Sequence, residues 1–310
     1  MKKSRTSWKK PFTGAFATFT PAFTPCHIVA LLLAATCAGR AAETGDAEFQ
    51  TGLAHFIAGE FEEAEARFEE SGKLAENAVE RARGLYALAE VYNHKTPGRD
   101  EAKAVALYNQ AVEADPGGEW APWAALALAR MPVFSSVDTL PSLAQLEEAF
   151  GKVMRDHPGH AAADEAFLLL QNQRLQRLSD GPLDRAVEAL EKWVEERKES
   201  AYLVQGYNLL AHGYFLQQKH QRHVDTRRAL LELLNQQKRD NRVPQTDPAT
   251  FYFQLAMAAQ NDVGDFELAR KYYTLLIEES PAHQLVFWAE KHLEMMDAFE
   301  AEVKNEKEAE

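Results

Sequence analysis

Two histidines at a spacing of three residues are the first feature of the chain that could perform chemistry. His220 and His223 lie one helical turn apart, and Asp225 follows two residues later. Imidazole and carboxylate groups that are close together can bind zinc, so a metal site is conceivable here. Arg222 and Arg227 flank the pair, and this basic, polar composition is more typical of a turn between helices. We therefore predict a polar turn and no metal site.

The other polar patterns do not match a known catalytic signature. The sequence contains neither the paired histidines of a metalloprotease helix, nor a phosphate-binding glycine loop, nor a serine nucleophile turn. Acid pairs such as Glu195 and Glu196 are typical of solvated helix faces. Trp120 and Trp123 could form a platform for a sugar or a peptide, although their helical spacing favours a place in the core. We predict no catalytic residues and no cofactor.

The charge of the chain argues against nucleic acid as a partner. The net charge of the 310 residues is −13, with 34 Lys or Arg and 47 Asp or Glu. Residues 1–41 contain six Lys or Arg and no acid, so the rest has 34 − 6 = 28 basic residues against 47 acidic ones, a net charge of −19. Such a surface repels phosphate groups. The two cysteines, Cys26 and Cys37, both precede residue 42, so we expect no disulfide framework after it.

The N-terminal segment has the composition of a bacterial secretory signal. Lys2, Lys3, Arg5, Lys9 and Lys10 precede an apolar run at residues 28–38. That run is too short to span a bilayer, which takes about 20 residues. Small residues follow it, and cleavage after Ala41 fits their positions. We predict a signal peptide at residues 1–41 and a periplasmic or secreted protein.

A lipoprotein anchor is the alternative to simple export. Residues 33–37 faintly resemble a lipoprotein processing site that ends at Cys37, although Thr36 is a poor match to its small residue. Contact with a membrane is therefore expected only through the signal segment or through a lipid on Cys37.

A helical signature at residues 264–281 recurs along the chain. Gly264 permits a tight turn, Ala269, Tyr273 and Leu276 lie on one helical face, and Pro281 stops the helix. Related patterns repeat every 40 to 43 residues, with the small or apolar position at Ala64, Ala104, Leu146, Ala186, Thr226 and Ala269. The alternative is an irregular bundle whose helices merely share a common length.

Each copy is preceded by a second apolar helix, so the predicted unit is a hairpin of helix A, a turn and helix B. Ser142 and Gln145 have the spacing of a capping box at one helix start. A final helix is predicted from about Ala282 to Phe299. One hairpin cannot bury its own apolar face, so each must pack against the next.

These residues resemble the tetratricopeptide repeat family, from the glycine–aromatic–alanine turn to the closing proline. The resemblance implies an all-α, right-handed superhelical solenoid of antiparallel helix pairs over residues 42–299. It would contain about six repeats and a C-terminal capping helix, followed by a charged tail at residues 300–310. The period exceeds the family's 34 residues and is nearer to that of HEAT repeats. Insertions between the helices, such as residues 131–141, account for the difference.

The resemblance implies a non-enzymatic scaffold of the bacterial cell envelope that holds a protein or peptide in a concave groove lined by the A helices. The predicted groove residues are Phe49, Leu53, Phe56, Tyr86, Glu90, Asn93, Asn208, His212, Phe215, Gln254 and Asn261. Phe49 and Leu53 do not match the Lys and Asn that hold peptide carboxylates in part of the family. We therefore expect an apolar or basic partner segment. The alternatives are an α/α-scaffold enzyme, a carbohydrate-binding protein, and an outer-membrane assembly lipoprotein.

Overall fold

The computed structural model describes residues 44–134, 141–177, 180–239 and 248–309, and these ranges contain helices and turns but no β-strand. The predicted signal peptide and both cysteines lie outside the described residues. The chain divides into two compact units, with the boundary between Ala121 and Pro122 inside a helix. The predicted all-α fold is confirmed.

The first unit is built from successive helices joined by short turns. They are α1 (Thr44–Ala58), α2 (Phe61–Lys73), α3 (Ala78–His94), α4 (Glu101–Ala114) and the start of α5 (Trp120–Phe134). The α1–α2 and α3–α4 pairs pack most extensively, and α2 also packs against α3. Because the connections are short, each pair is an antiparallel hairpin, as predicted.

The second unit repeats this arrangement. After the rest of α5 it contains α6 (Leu143–Asp156), α7 (Ala161–Gln176), α8 (Asp180–Glu196), α9 (Leu203–Leu216) and α10 (His220–Arg239). It continues with α11 (Ala249–Ala258), a π-helix (Ala259–Val263), α12 (Phe266–Glu279) and α13 (Val286–Ala309). From α6 onward, neighbouring helices in the chain pack on one another, and α7 also contacts α9.

The repeated small or apolar positions of the sequence signature are buried in every copy. Ala64, Ala104, Ala186 and Ala269 are fully buried, and Leu146 and Thr226 are at most 8% exposed. The large residue four positions after each is buried too: Phe68, Tyr108, Phe150, Leu190, Leu230 and Tyr273. The hairpin repeat is therefore confirmed by burial at every copy. In the weakest copy, Leu233 remains half-buried.

The chain enters α12 through a π-helix and a left-handed glycine. Residues 259–263 form one turn of π-helix, and Gly264 ends it in the left-handed conformation with φ of 71°. An L-residue with a side chain adopts that φ only at a cost, so the turn favours glycine. The Asp265 side chain then accepts a hydrogen bond from the Leu268 backbone N–H at 2.9 Å and caps α12. This geometry fixes the direction in which residues 260–262 project.

The last helix differs from its predicted bounds. Pro281 follows the end of α12 as predicted, but turns occupy the next residues and α13 begins at Val286. It then continues through Ala309, so the helix does not end at Phe299 and residues 300–309 are helical. Within the described ranges, neither α13 nor any other helix is both long and apolar enough to cross a membrane.

Candidate functional site

Most groove residues predicted in the first unit belong to its core. Phe49, Leu53, Phe56, Tyr86 and Glu90 are at most 8% exposed. On α1 the apolar stripe of Phe49, Leu53 and Phe56 is the face that packs against the neighbouring helices, because an amphipathic helix buries its apolar stripe. These five residues cannot contact a partner, and their assignment to a groove is corrected.

The contacts in this unit explain the burial. The Phe49 ring lies 5.4 Å from the Phe68 ring, and the Arg83 guanidinium covers its other side at 4.1 Å. The Tyr108 hydroxyl donates a 2.6 Å hydrogen bond to the carboxylate of Glu90, which is 1% exposed. Asn93 is half-buried and accepts a hydrogen bond from Arg99. It is the only predicted groove residue of this unit with appreciable exposure.

The five predicted residues of the second unit lie at its surface. Asn208, Phe215 and Gln254 are half-buried, and His212 and Asn261 are exposed. They come from α9, α11 and the π-helix, which are the first helices of two successive hairpins. We call these five residues the α9–α11 surface. The three residues on α9 are spaced four and three positions apart, so they share one helical face. A side chain from α10, Arg227, connects α9 to α11.

Arg227 of α10 connects the two first helices. Its Nη1 donates to Gln254 Oε1 at 2.7 Å and also to Asn208 Oδ1. Its Nε donates to His223 Nε2 at 3.3 Å. All three partners are neutral acceptors. Asn208 lies on α9, Gln254 lies on α11, and His223 lies on α10 one turn before Arg227. The guanidinium therefore fixes the two amide side chains of the α9–α11 surface relative to each other.

His223 links this guanidinium to a carboxylate. Because Arg227 donates to Nε2, that nitrogen carries no proton, and Nδ1–H donates to Asp262 Oδ2 at 2.7 Å. The π-helix directs Asp262 toward His223, and Asp262 also lies 3.7 Å from His220. The Phe215 ring packs edge-on against His223 at 5.6 Å. We call Asn208, His223, Arg227, Gln254 and Asp262 the Arg227 cluster.

The surroundings of the Arg227 cluster lower the pKa values of Arg227 and of the neighbouring His212. Burial lowers the pKa of Arg227 to about 10, while Asp262 acts in the opposite direction. The guanidinium thus stays charged at neutral pH. Loss of hydration, together with the charge of Arg227, lowers the pKa of His212 below its ordinary value of 6.5. The site consequently favours a neutral imidazole at residue 212.

We expect acid to destabilise the protein through His212. Because the folded state lowers the pKa of this imidazole, the unfolded chain takes up its proton first as the pH falls below 6.5. The contribution of His212 to stability is therefore complete above that pH and declines below it. Urea unfolding between about pH 8 and pH 5 should show a shallower decline for His212→Gln than for the wild type. Equal slopes for the two proteins would contradict the assignment.

The proposed metal set of His220, His223 and Asp225 does not assemble. Asp225 points away and accepts a hydrogen bond from Gln221, while both histidines approach Asp262. In the part of the chain that the structure describes, no group of three potential ligands could hold a metal ion. The polar turn predicted here is in fact the first turn of α10.

The tryptophans lie in the core, as their helical spacing favours, and do not form the platform considered as the alternative. Trp120 and Trp123 are at most 4% exposed. Trp120 packs against Tyr86 at 5.5 Å, and Trp123 packs edge-on against His160 at 5.4 Å. Neither indole has a face free for a ligand.

Comparison with known proteins gives structural likeness only. No protein-family model matches the chain, and no curated protein matches its sequence. Among solved structures, one similar chain is the assembly chaperone of RpL4 (Acl4), residues 1–338, with 18% identity and a TM-score of 0.49 over 84% of this chain and 100% of that one. Another is the TPR domain of P58(IPK), with 15% identity and a TM-score of 0.32 over 85% of this chain and 69% of that one.

Proposed function

We propose that this protein is a non-enzymatic interaction scaffold of the bacterial cell envelope, and that its α9–α11 surface binds a segment of a partner protein. The observation that carries the proposal is the convergence of polar and aromatic side chains from two successive hairpins at a surface of the second unit. In the first unit, by contrast, five of the corresponding first-helix residues are buried packing residues. Here the side chains stay accessible, although the Arg227 cluster orders two of them.

The ordered amides suit a polypeptide ligand. Asn208 Oδ1 and Gln254 Oε1 accept from Arg227, so the amide N–H groups of both side chains remain as donors. Backbone carbonyls of an extended peptide accept such hydrogen bonds, and Phe215 provides an adjacent half-buried ring. A surface with fixed donors beside an aromatic group can hold both the backbone and a side chain of a partner.

The arrangement around His223 favours binding over catalysis. An Asp–His pair activates a nucleophile when the second imidazole nitrogen faces a hydroxyl or a thiol. In this cluster that nitrogen accepts from the Arg227 guanidinium, which has no nucleophilic character. The pair therefore orients Arg227, and through it the two amides.

The envelope location rests on the N-terminal sequence alone. A basic segment, an apolar run and small residues up to Ala41 support export, and Cys37 offers a possible site for a lipid. Mass spectrometry of the mature protein tests this part of the proposal. A chain that begins at Ala42 supports export, a diacylated Cys37 supports an anchored form, and an intact Met1 would contradict both.

Affinity capture from envelope extracts tests the binding surface. The wild type should retain a partner that the His212→Ala/Asn261→Ala variant loses, because both residues are exposed on the α9–α11 surface. A Glu188→Ala/Lys192→Ala variant, which changes exposed residues of α8, is the matched control and should retain the partner. With the purified partner, we expect the affinity to fall about tenfold for the surface variant only. Equal capture by all three proteins would refute this surface.

A further inference from the structure

The last helix, α13, packs on the second unit through one of its faces. Ala289 and Met296 are buried in the core cluster of that unit, and Leu293 packs against the same cluster. At the edge of this face, the Arg270 guanidinium of α12 donates a hydrogen bond to the Asp297 carboxylate. These contacts hold α13 against α12 and determine which of its residues face the solvent.

The solvent-facing side of α13 also carries large apolar residues. Phe287, Trp288 and Met295 are 56%, 48% and 44% exposed, and in the described part of the second unit all the exposed large apolar side chains lie on this helix. The Phe287 and Trp288 rings pack edge-on at 5.3 Å, and Lys291 Nζ lies 6.0 Å from the centre of the Phe287 ring. The solvent side of a helix is normally polar, so a group of exposed apolar side chains there indicates an interaction site.

The residues of this side follow one another at intervals of three and four positions. The series consists of Trp288, Lys291, Met295, Ala298 and Glu302, and all five residues are exposed. Alternating steps of three and four positions keep them on one helical face. We call these five residues the α13 outer stripe. Its N-terminal part contains an aromatic residue and a cation, and its C-terminal part contains a small residue and an acid.

We propose that the α13 outer stripe binds the same stripe of a second copy of this chain, with the two helices antiparallel. A twofold axis between Met295 and Ala298 places Met295 of each copy opposite Ala298 of the other, and Lys291 opposite Glu302. A large side chain then meets a small one and a cation meets an acid, and each contact occurs twice. A parallel pair in register would instead set Lys291 against Lys291 and Glu302 against Glu302, which is repulsive.

The side chains of the α13 outer stripe suit a close pair of helices. A small residue such as Ala298 lets two helices approach, and the long, flexible Met295 side chain can fill the space beside it. Trp288 supplies the kind of large aromatic group that is enriched in protein interfaces. Because α13 has 24 residues, it is about 36 Å long, and the contact can extend over several turns.

The charge of α13 favours a second copy over a lipid surface. Residues 286–309 contain three lysines and seven acids, a net charge of 3 − 7 = −4. Amphipathic helices that lie on anionic membranes are rich in Lys and Arg, so this helix has the wrong charge for such a surface. Within its own chain Lys291 pairs with Glu294 at 2.7 Å. Both residues are exposed, so the lysine can also contact an acid of the second copy.

This contact between copies is separate from the proposed partner surface. It uses none of the residues of the α9–α11 surface, so either assignment can fail while the other stands. A dimer would carry two α9–α11 surfaces. A partner with two suitable segments would then bind more tightly than it binds to one copy, because the second contact forms within the same complex.

Sedimentation velocity of the full-length protein over a concentration series tests the proposal. We expect a reversible monomer–dimer equilibrium with a dissociation constant of about 1–10 µM, as suits a single pair of helices. Trp288→Glu/Met295→Glu should raise this constant at least about a hundredfold, with an unchanged thermal melt, because both side chains are exposed in the single chain. Lys192→Glu, at an exposed position of α8, is the control and should change the constant less than about twofold. A wild type that stays monomeric, or a dimer that tolerates Trp288→Glu/Met295→Glu, would overturn the proposal.

Vesicles of phosphatidylglycerol test the lipid surface as the alternative occupant. We expect the wild type to stay in the supernatant when the vesicles are sedimented. If the vesicles retain the wild type but release Trp288→Glu/Met295→Glu, the α13 outer stripe binds lipid and the proposal is wrong.

Exchange of charges between the copies tests the antiparallel register. Lys291→Glu alone and Glu302→Lys alone each set like charges opposite one another, so each should weaken the dimer about tenfold. An equimolar mixture of these two variants should associate as tightly as the wild type, because each glutamate of one chain then meets a lysine of the other. The double variant Lys291→Glu/Glu302→Lys should also regain the wild-type dissociation constant. If neither the mixture nor the double variant recovers, the proposed pairing of Lys291 with Glu302 is refuted.

Discussion

Replacing Ala269 with glutamate should unfold the last two hairpins of the second unit. Ala269 is fully buried, in a cluster that includes Leu255, Ala256, Tyr273 and Leu276. A glutamate side chain needs space that the helix crossing does not provide, and it would bring an unpaired charge into the core. A buried, unpaired charge costs at least about 3 kcal/mol. That is a large fraction of the roughly 5–15 kcal/mol that stabilise a typical domain.

Hydrogen exchange can locate the effect. In a helical repeat each hairpin contacts chiefly its neighbours, so protection should be lost in the last two hairpins, α9 to α12, and in α13 before it is lost in α6 and α7. The matched control is Thr274→Glu, because Thr274 lies on the exposed side of the same helix. It should change the free energy of unfolding by no more than about 0.5 kcal/mol. An unchanged thermal melt for Ala269→Glu would contradict the packing described here.

The repeat could be predicted because its signals are local. A small residue, a large residue four positions later and a turn with glycine or proline all fall within about one hairpin. Close packing of two helices requires a small side chain at their crossing, and burial of Ala64, Ala104, Ala186 and Ala269 follows from that requirement. The same logic applies to the capping box at Ser142, where both hydrogen bonds with Gln145 are present.

The candidate binding surface was harder to predict because the same pattern can serve packing or recognition. An apolar stripe on a first helix, such as Phe49 and Leu53, has the composition of a groove but is also the stripe that must be buried. Periodicity does not say which of two neighbours covers it. In the second unit the predicted residues are polar or lie at the helix edge, and there the structure keeps them at the surface. Polar residues at first-helix positions are therefore the more useful signal.

The Arg227 cluster depends on contacts between residues that are distant in sequence. Arg227 bonds to Asn208 and Gln254, which are 19 and 27 positions away, and His223 bonds to Asp262 at a separation of 39. The direction of Asp262 depends on the π-helix, where one extra residue per turn rotates the side chains that follow. The sequence pattern indicated helix there and gave no sign of this rotation. The nearby Gly264 was the one local hint that the helix ends unusually.

Gly206 sets the distance between α8 and α9, and its replacement by alanine should destabilise the second unit. A Cβ atom at this position would lie 2.4 Å from Trp193 Cζ3 and 2.9 Å from Cε3. The indole cannot easily move away, because it is 6% exposed and stacks on the Phe167 ring at 5.6 Å with an interplanar angle of 9°. Overpacking of this kind costs about 1–3 kcal/mol.

The sign of the effect distinguishes packing from helix propensity. In a helix interior without close neighbours, alanine is more stable than glycine by about 1 kcal/mol, so propensity alone predicts a gain for Gly206→Ala. Gly72→Ala is the control, since no atom lies within 4 Å of its added Cβ, and it should be neutral or stabilising. Urea unfolding of Gly206→Ala, Trp193→Leu and the double variant completes a thermodynamic cycle. A positive coupling that restores stability supports the close contact, whereas a stabilised Gly206→Ala protein would show that α8 and α9 lie farther apart.

Because α9 also carries Asn208 and Phe215, the same variant should weaken partner binding by shifting the α9–α11 surface relative to Arg227.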